Sequence, residues 1–149
     1  MKTLALLPVL SALLLFVSCS KSDSADSSTI DIATGTQKVS TGDWAVTQYT
    51  DSGKDETADY SGYRFQFNTD GTFFVTTSAG NYSGTWILST GSSSGSSSDD
   101  SYNRLKITIT GNKQMDDVSK NWLVVKISDN EIWLSDDNAA SNEHIRFGR

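Results

Sequence analysis

Four features of this 149-residue chain carry residue types capable of covalent or metal chemistry. They are the run Gly91-Ser92-Ser93-Ser94-Gly95, the single histidine His144, the single cysteine Cys19 and the acidic run Asp136-Asp137-Asn138. The first fits G-x-S-x-G, which makes a nucleophile elbow only where a strand turns sharply into a helix. Here it lies in a serine-rich stretch with neither element. A Ser-His-Asp triad would have to be built on His144, which is read as a surface or structural histidine. One histidine and one cysteine do not supply a zinc site. The acidic run lacks the spaced carboxylates and turn glycine of a calcium loop. Paired acids for glycoside hydrolysis require a geometry that composition does not reveal. No catalytic residue, metal ligand or cofactor is therefore assigned, and the chain is not read as an enzyme.

Cys19 has a different use. Lys2 is followed by the apolar run Leu4 to Val17, LALLPVLSALLLFV. That run is shorter than the roughly 20 residues needed to span a bilayer and reads as the core of a signal peptide. Phe16-Val17-Ser18-Cys19 resembles a bacterial lipobox, in which the cysteine is lipidated and becomes the first residue of the mature protein. With no second cysteine there is no intramolecular disulfide, and lipidation accounts for a thiol that an exported protein would otherwise carry free. Several acyl chains at about 0.8 kcal/mol per buried CH2 anchor stably where one does not. Ser20, next to the cysteine, is not the aspartate typical of inner-membrane retention, so the expectation is the outer membrane. Lys21-Ser22-Asp23 weakly resembles a surface-export signal, and facing stays open. Asp23-Ser24-Ala25 resembles an O-glycosylation acceptor.

Loss of residues 1–18 removes one of 12 basic residues and none of 18 acidic ones, leaving a net charge of −7. No clustered basic patch is visible, which argues against a nucleic-acid partner and against attraction to anionic lipid. The expected organisation is a signal peptide over 1–18, a lipid-anchored disordered tether over 19–41, and one domain over 42–149. The tether expectation comes from the Ser/Asp/Thr-rich stretch 20–41, which is too poor in apolar residues to fold alone. A second low-complexity run, 89–101, is expected to be a loop.

Eight short runs within the domain have strand character, separated by turn signals. They are Asp43 to Thr50, Tyr63 to Asn68, Thr72 to Thr77, Tyr82 to Leu88, Arg104 to Thr110, Asn121 to Ser128, Glu131 to Ser135 and His144 to Phe147. Helical turns are expected near 54–60 and 114–120. A turn over Asn68-Thr69-Asp70-Gly71 pairs Phe67 with Phe73 and Phe65 with Val75. A two-residue turn at Ala79-Gly80 would pair Thr77 with Tyr82, Val75 with Gly84 and Phe73 with Trp86. Tyr63, Phe65, Phe67, Phe73, Val75, Tyr82, Gly84 and Trp86 then share an inner face, the candidate lining for a small apolar ligand or else the filling of a core. A turn at Asp129-Asn130 makes a second apolar face of Leu123, Val125, Ile127, Ile132 and Leu134, with Trp133 and Phe74 pointing outward. One apolar face on every run calls for an antiparallel sheet closed on itself, an eight-stranded up-and-down barrel, with a two-sheet sandwich as the alternative.

Gly42-Asp43-Trp44, Asp51 to Thr57, Gly62 to Phe67 with Asp70-Gly71, Gly84-Thr85-Trp86, Met115 to Val125 and Glu131 to Leu134 follow one another in an order that resembles the small lipocalin-like lipoproteins of Gram-negative bacteria. The resemblance covers about 105 residues from Gly42 onward. It implies a lipid-anchored barrel that binds a small, mostly apolar ligand. A structural or protein-interaction lipoprotein with a solid core is the rival. Gly42-x-Trp44 is similar to the Gly-x-Trp of lipocalins, where a late arginine packs over the tryptophan; Arg146 or Arg149 would fill that part.

Overall fold

Alternating apolar and polar side chains along short runs, with no proline after Pro8, allow every strand of the domain to pair on both sides. In the computed structural model, which describes residues 30–92 and 101–149, all but a two-residue side strand do so. The strands are β1 (Asp43–Asp51), β2 (Lys54–Asp55), β3 (Arg64–Phe67), β4 (Thr72–Thr76), β5 (Asn81–Ser92), β6 (Ser101–Ile109), β7 (Asn121–Ile127), β8 (Glu131–Ser135) and β9 (His144–Gly148). All pairings are antiparallel, and each of β3 to β9 neighbours the next. β1 pairs with β3 through Asp43 and Trp44 and with β9 from Ala45 to Thr50, so eight strands close into a barrel. β2 is a two-residue side ladder on the end of β1. Closure rules out the open sandwich.

Register explains which side chains meet inside. Phe67 faces Phe73 and Phe65 faces Val75 across the β3–β4 hairpin, as the turn chemistry requires. Gly71 takes the left-handed conformation at φ 84° that this turn needs. The β4–β5 hairpin departs from expectation by two residues, with Val75 opposite Tyr82 and Phe73 opposite Gly84. Its closing bond runs from Thr77 N–H to Gly80 O, so Ser78-Ala79 is the loop and not Ala79-Gly80. A shift of two keeps the face and changes the partners. In the β7–β8 hairpin a bulge at Val125 overturns part of the second apolar face. Val124 pairs with Leu134, Trp122 is buried, Leu123 is half-buried, and Val125 is 50% exposed. An extra residue in one strand inverts inside and outside beyond it.

The stretch expected to be disordered tether contains a helix, α1 (Ile32–Val39). Threonine and glycine make it a poor helix former, and eight residues would not hold a helix alone in water. Packing supplies the stability: Gly35 and Val39 are buried, Ile32 packs against the core, and Asp31 caps the first turn by accepting from Thr34 N–H at 2.9 Å. Packed structure is therefore present from Ile30, twelve residues before the expected boundary. Similarly, β5 and β6 pair out to Ser92 and Ser101, inside the expected low-complexity loop. Cys19, the rest of the tether and residues 93–100 lie outside the described residues. A second helix, α2 (Lys113–Val118), caps the other end of the barrel through buried Met115 and Val118, and a 3-10 turn at Thr57–Tyr60 adds buried Tyr60 beside it.

Candidate functional site

The eight residues of the candidate inner face do come together. Phe65, Phe67, Phe73 and Val75 have no exposed surface, Trp86 is 5% exposed, and Tyr63 and Tyr82 are half-buried toward the α2 end. Aromatic rings run in contact through the barrel in the order Tyr49, Tyr60, Tyr63, Phe65, Phe73, Phe67 and Trp86, with successive centroids 4.6 to 6.2 Å apart. Phe147 meets both Phe65 and Phe67 edge-on. Two of these rings have their polar ends satisfied locally: Trp86 Nε1 donates to Asn68 O at 2.8 Å, and Tyr63 hydroxyl accepts from Asn112 Nδ2 at 2.8 Å. Gly84 sits between Phe73 of β4 and Ile109 of β6, where a Cβ would lie 2.2 Å from Thr108 O. The missing side chain admits a neighbouring backbone.

At the α1 end, Trp44 is fully buried and its Nε1 donates to Val39 O at 2.8 Å, tying the helix to β1. Arg149, of the two candidates, packs over it, with the guanidinium carbon 3.9 Å from the ring centroid and one N–H on Lys38 O at 2.8 Å. Gly42 turns the chain into β1 at φ 74°. Arg149→Ala should lower stability by about 1 kcal/mol through loss of this cation–π contact, measured by urea unfolding. Arg146 instead stacks on the outside, 3.9 Å over Trp133. Trp133 pairs with Lys126 and Phe74 with Gln66, both on the outer face as the registers required. Phe74 is 42% exposed.

A polar cluster at the α2 end was not anticipated. Glu143 is 3% exposed, accepts from the Tyr49 hydroxyl at 2.7 Å and pairs with Lys120. Alternation from Ile145 and Phe147 already puts position 143 inward, a signal that was present in the sequence. Tyr49 was hidden because β1 bulges at Thr47. Burial, then the bond to Glu143, holds the Tyr49 hydroxyl protonated well above the usual tyrosine range. Burial, then the nearby Asp117, does the same to Tyr60, whose hydroxyl has no partner among the described residues. Folded tyrosines that resist ionisation favour the native state until the unfolded chain loses its protons, so stability falls as pH rises above about 10. Tyr49 and Tyr60 are expected to ionise only on unfolding in an absorbance titration. Tyr60→Phe should leave one, with stability unchanged or raised by about 1 kcal/mol, since it removes a buried unpaired hydroxyl.

Little chemistry is assembled elsewhere among the described residues. His144 Nε2 lies 3.3 Å from Asn142 Oδ1, Asp137 pairs with Arg104 at 2.9 Å, and among the described residues no three metal-ligating side chains cluster. Most of the Gly91–Gly95 run lies outside the described residues. An open notch between α1 and the barrel, lined by Lys38, Asp129 and Arg149 among others, is spanned by the Lys38–Asp129 pair.

No family model matches this chain, and no curated protein does. Among solved structures it is similar to a DUF4847 family protein from Bacteroides vulgatus ATCC 8482, at 14% identity and a TM-score of 0.49 over 75% of this chain and 94% of that one. A similarity at that level carries nothing about function.

Proposed function

We propose that this protein is a lipid-anchored domain of the bacterial envelope that works through the outer surface of a solid barrel. The barrel fold is compatible with a lipocalin-like ligand holder, and the resemblance in motif order favours one. Packing favours the rival. A cavity able to hold an apolar molecule would leave the side chains lining it reachable by water, yet Phe65, Phe67, Phe73 and Val75 have no accessible surface. Both ends are stoppered as well, by Val39 of α1 and by Met115, Val118 and Tyr60 at the α2 end. The anchor rests on the leader and Cys19.

Outside, Trp133 under Arg146, with the exposed bulge residue Val125 on the neighbouring strand, forms an aromatic and cationic patch of the kind partner proteins use. A photoreactive residue in place of Lys126, opposite Trp133, should crosslink a protein in intact cells, and Trp133→Ser should abolish the product. No crosslink, together with an apolar molecule co-purifying with the native protein or stabilising it in a ligand panel, would overturn this reading in favour of a carrier.

A further inference from the structure

Asn103 stands where the inner row of β6 calls for an apolar side chain. That row continues through Leu105, Ile107 and Ile109, all buried, and Asn103 is itself only 3% exposed. A buried amide costs free energy unless it is paired. Its partner is the backbone just before α1: Ile30 N–H donates to Asn103 Oδ1 at 2.8 Å, and Asn103 Nδ2 donates to Ile30 O at 3.1 Å. We propose that α1 is a lid hinged at Ser40–Gly42, that it lifts as a unit while the barrel stays folded, and that Asn103 is the latch at the end away from the hinge.

The position of α1 is that of a cover. Ile30 is held by β6, and Val39 by Trp44 of β1, whose Nε1 donates to Val39 O at 2.8 Å. In the closed order β1, β3, β4, β5, β6, β7, β8, β9, those two strands are four apart in either direction, so α1 lies across the barrel mouth from one wall to the opposite one. The hinge end runs covalently into β1 through Gly42 at φ 74° and is held there by Arg149 on Lys38 O. The other end is held by the Asn103 pair and by Gly35, which sits so close to Leu88 of β5 that an added Cβ would lie 2.6 Å from its Cδ2. One flank of α1, Thr34, Gln37 and Lys38 with Thr41 beyond, lines an open notch of about 300 Å³ instead of packing on the barrel.

Energetics separate the lid from what it covers. Eight residues with threonine and glycine in the middle do not hold a helix in water, so α1 keeps its form only while seated. Seating buries Gly35 and Val39 and packs Ile32 against the core, whereas each barrel wall is fixed by strand pairing on both sides and by the aromatic core. Segments with few buried apolar contacts open before the rest. Burial of Ile32 and Val39 keeps the lid shut by default, and the open form is a minor state. Lifting uncovers Leu88 and Asn103, the rim of a solid core and not a cavity.

Amide hydrogen exchange followed by NMR on the full chain tests this. The reporters in the lid are the amides of Gly35 and Ser40, bonded to Asp31 O and Thr36 O; those in the barrel are Trp86 and Ile107, bonded to Gly71 O and Lys120 O. The lid amides should be about 100-fold or more less protected than the barrel amides, agree with each other, and stay insensitive to low urea that speeds exchange in the barrel. Asn103→Ala should speed the lid amides about tenfold further and leave Trp86 and Ile107 unchanged. Lifting is read separately in a Cys19→Ser background, where an introduced thiol is the only one. Leu88→Cys under the lid should react with a thiol reagent about 100-fold faster than Ile107→Cys in the core. Equal protection of lid and barrel in the parent chain overturns the lid, because α1 then belongs to one cooperative unit. Weak protection of α1 with no faster labelling at position 88 also overturns it, since the helix then frays in place. Lid exchange unchanged by Asn103→Ala overturns the latch.

Discussion

Gly84→Ala is expected to lower the melting temperature by about 10 °C, corresponding to about 3 kcal/mol for a domain of this size. A Cβ at this position would lie 2.2 Å from Thr108 O, 2.8 Å from Ile109 Cβ and 3.0 Å from Ile109 Cα. Two of those three atoms are backbone, so no rotamer change relieves the overlap, and β5 and β6 must separate locally. Overpacking against a mobile side chain costs less than displacement of a paired strand. Gly84→Val should be worse and yield little soluble protein. Ser83→Ala, on the exposed side of the same strand, is the control and should change stability by less than about 0.5 kcal/mol. Thermal unfolding by circular dichroism decides the matter: an unchanged melting temperature for Gly84→Ala would mean that β5 and β6 do not pair Gly84 with Ile109.

Lys120→Met should cost about 2 to 3 kcal/mol, reduced from the full value for a broken buried pair because a third of the lysine side chain is exposed. The loss comes from what is left behind. Glu143 remains covered by the barrel end with only the Tyr49 hydroxyl to stabilise its charge. Removing that charge should therefore recover most of the loss, and Lys120→Met combined with Glu143→Gln should be more stable than Lys120→Met alone, since glutamine still accepts from Tyr49. The single and double variants form a cycle read by urea unfolding. If the double variant were less stable than either single, Lys120 would act through its contact with the Trp122 ring, 5.5 Å away, and not through Glu143.

The sequence was a good guide wherever a side chain's direction follows from period two and a local turn. Eight strands, the Phe65/Val75 and Phe67/Phe73 pairs, the inward set from Tyr63 to Trp86 and the outward Trp133 and Phe74 all follow from alternation counted from a turn whose residues demand it. Such counting is reliable until one residue is added. The bulges at Thr47 and Val125 arise from fitting strands into a closed barrel, and no local preference announces them. They brought Tyr49 inside and sent Val125 out.

Tertiary structure alone decided the rest, for a common reason. Helix α1 is too short and too rich in threonine to form without a surface to lie on, so its existence depends on a barrel end assembled from residues far along the chain. The choice of Arg149 over Arg146 depends on where β9 ends relative to Trp44, and the Tyr49–Glu143–Lys120 cluster on three segments meeting at one rim. Whether the aromatic face lines a space or fills one depends on how closely opposite walls approach, which the sequence of one wall does not contain. Alternation determines which side of a strand is apolar; the closure of the barrel determines what that side touches.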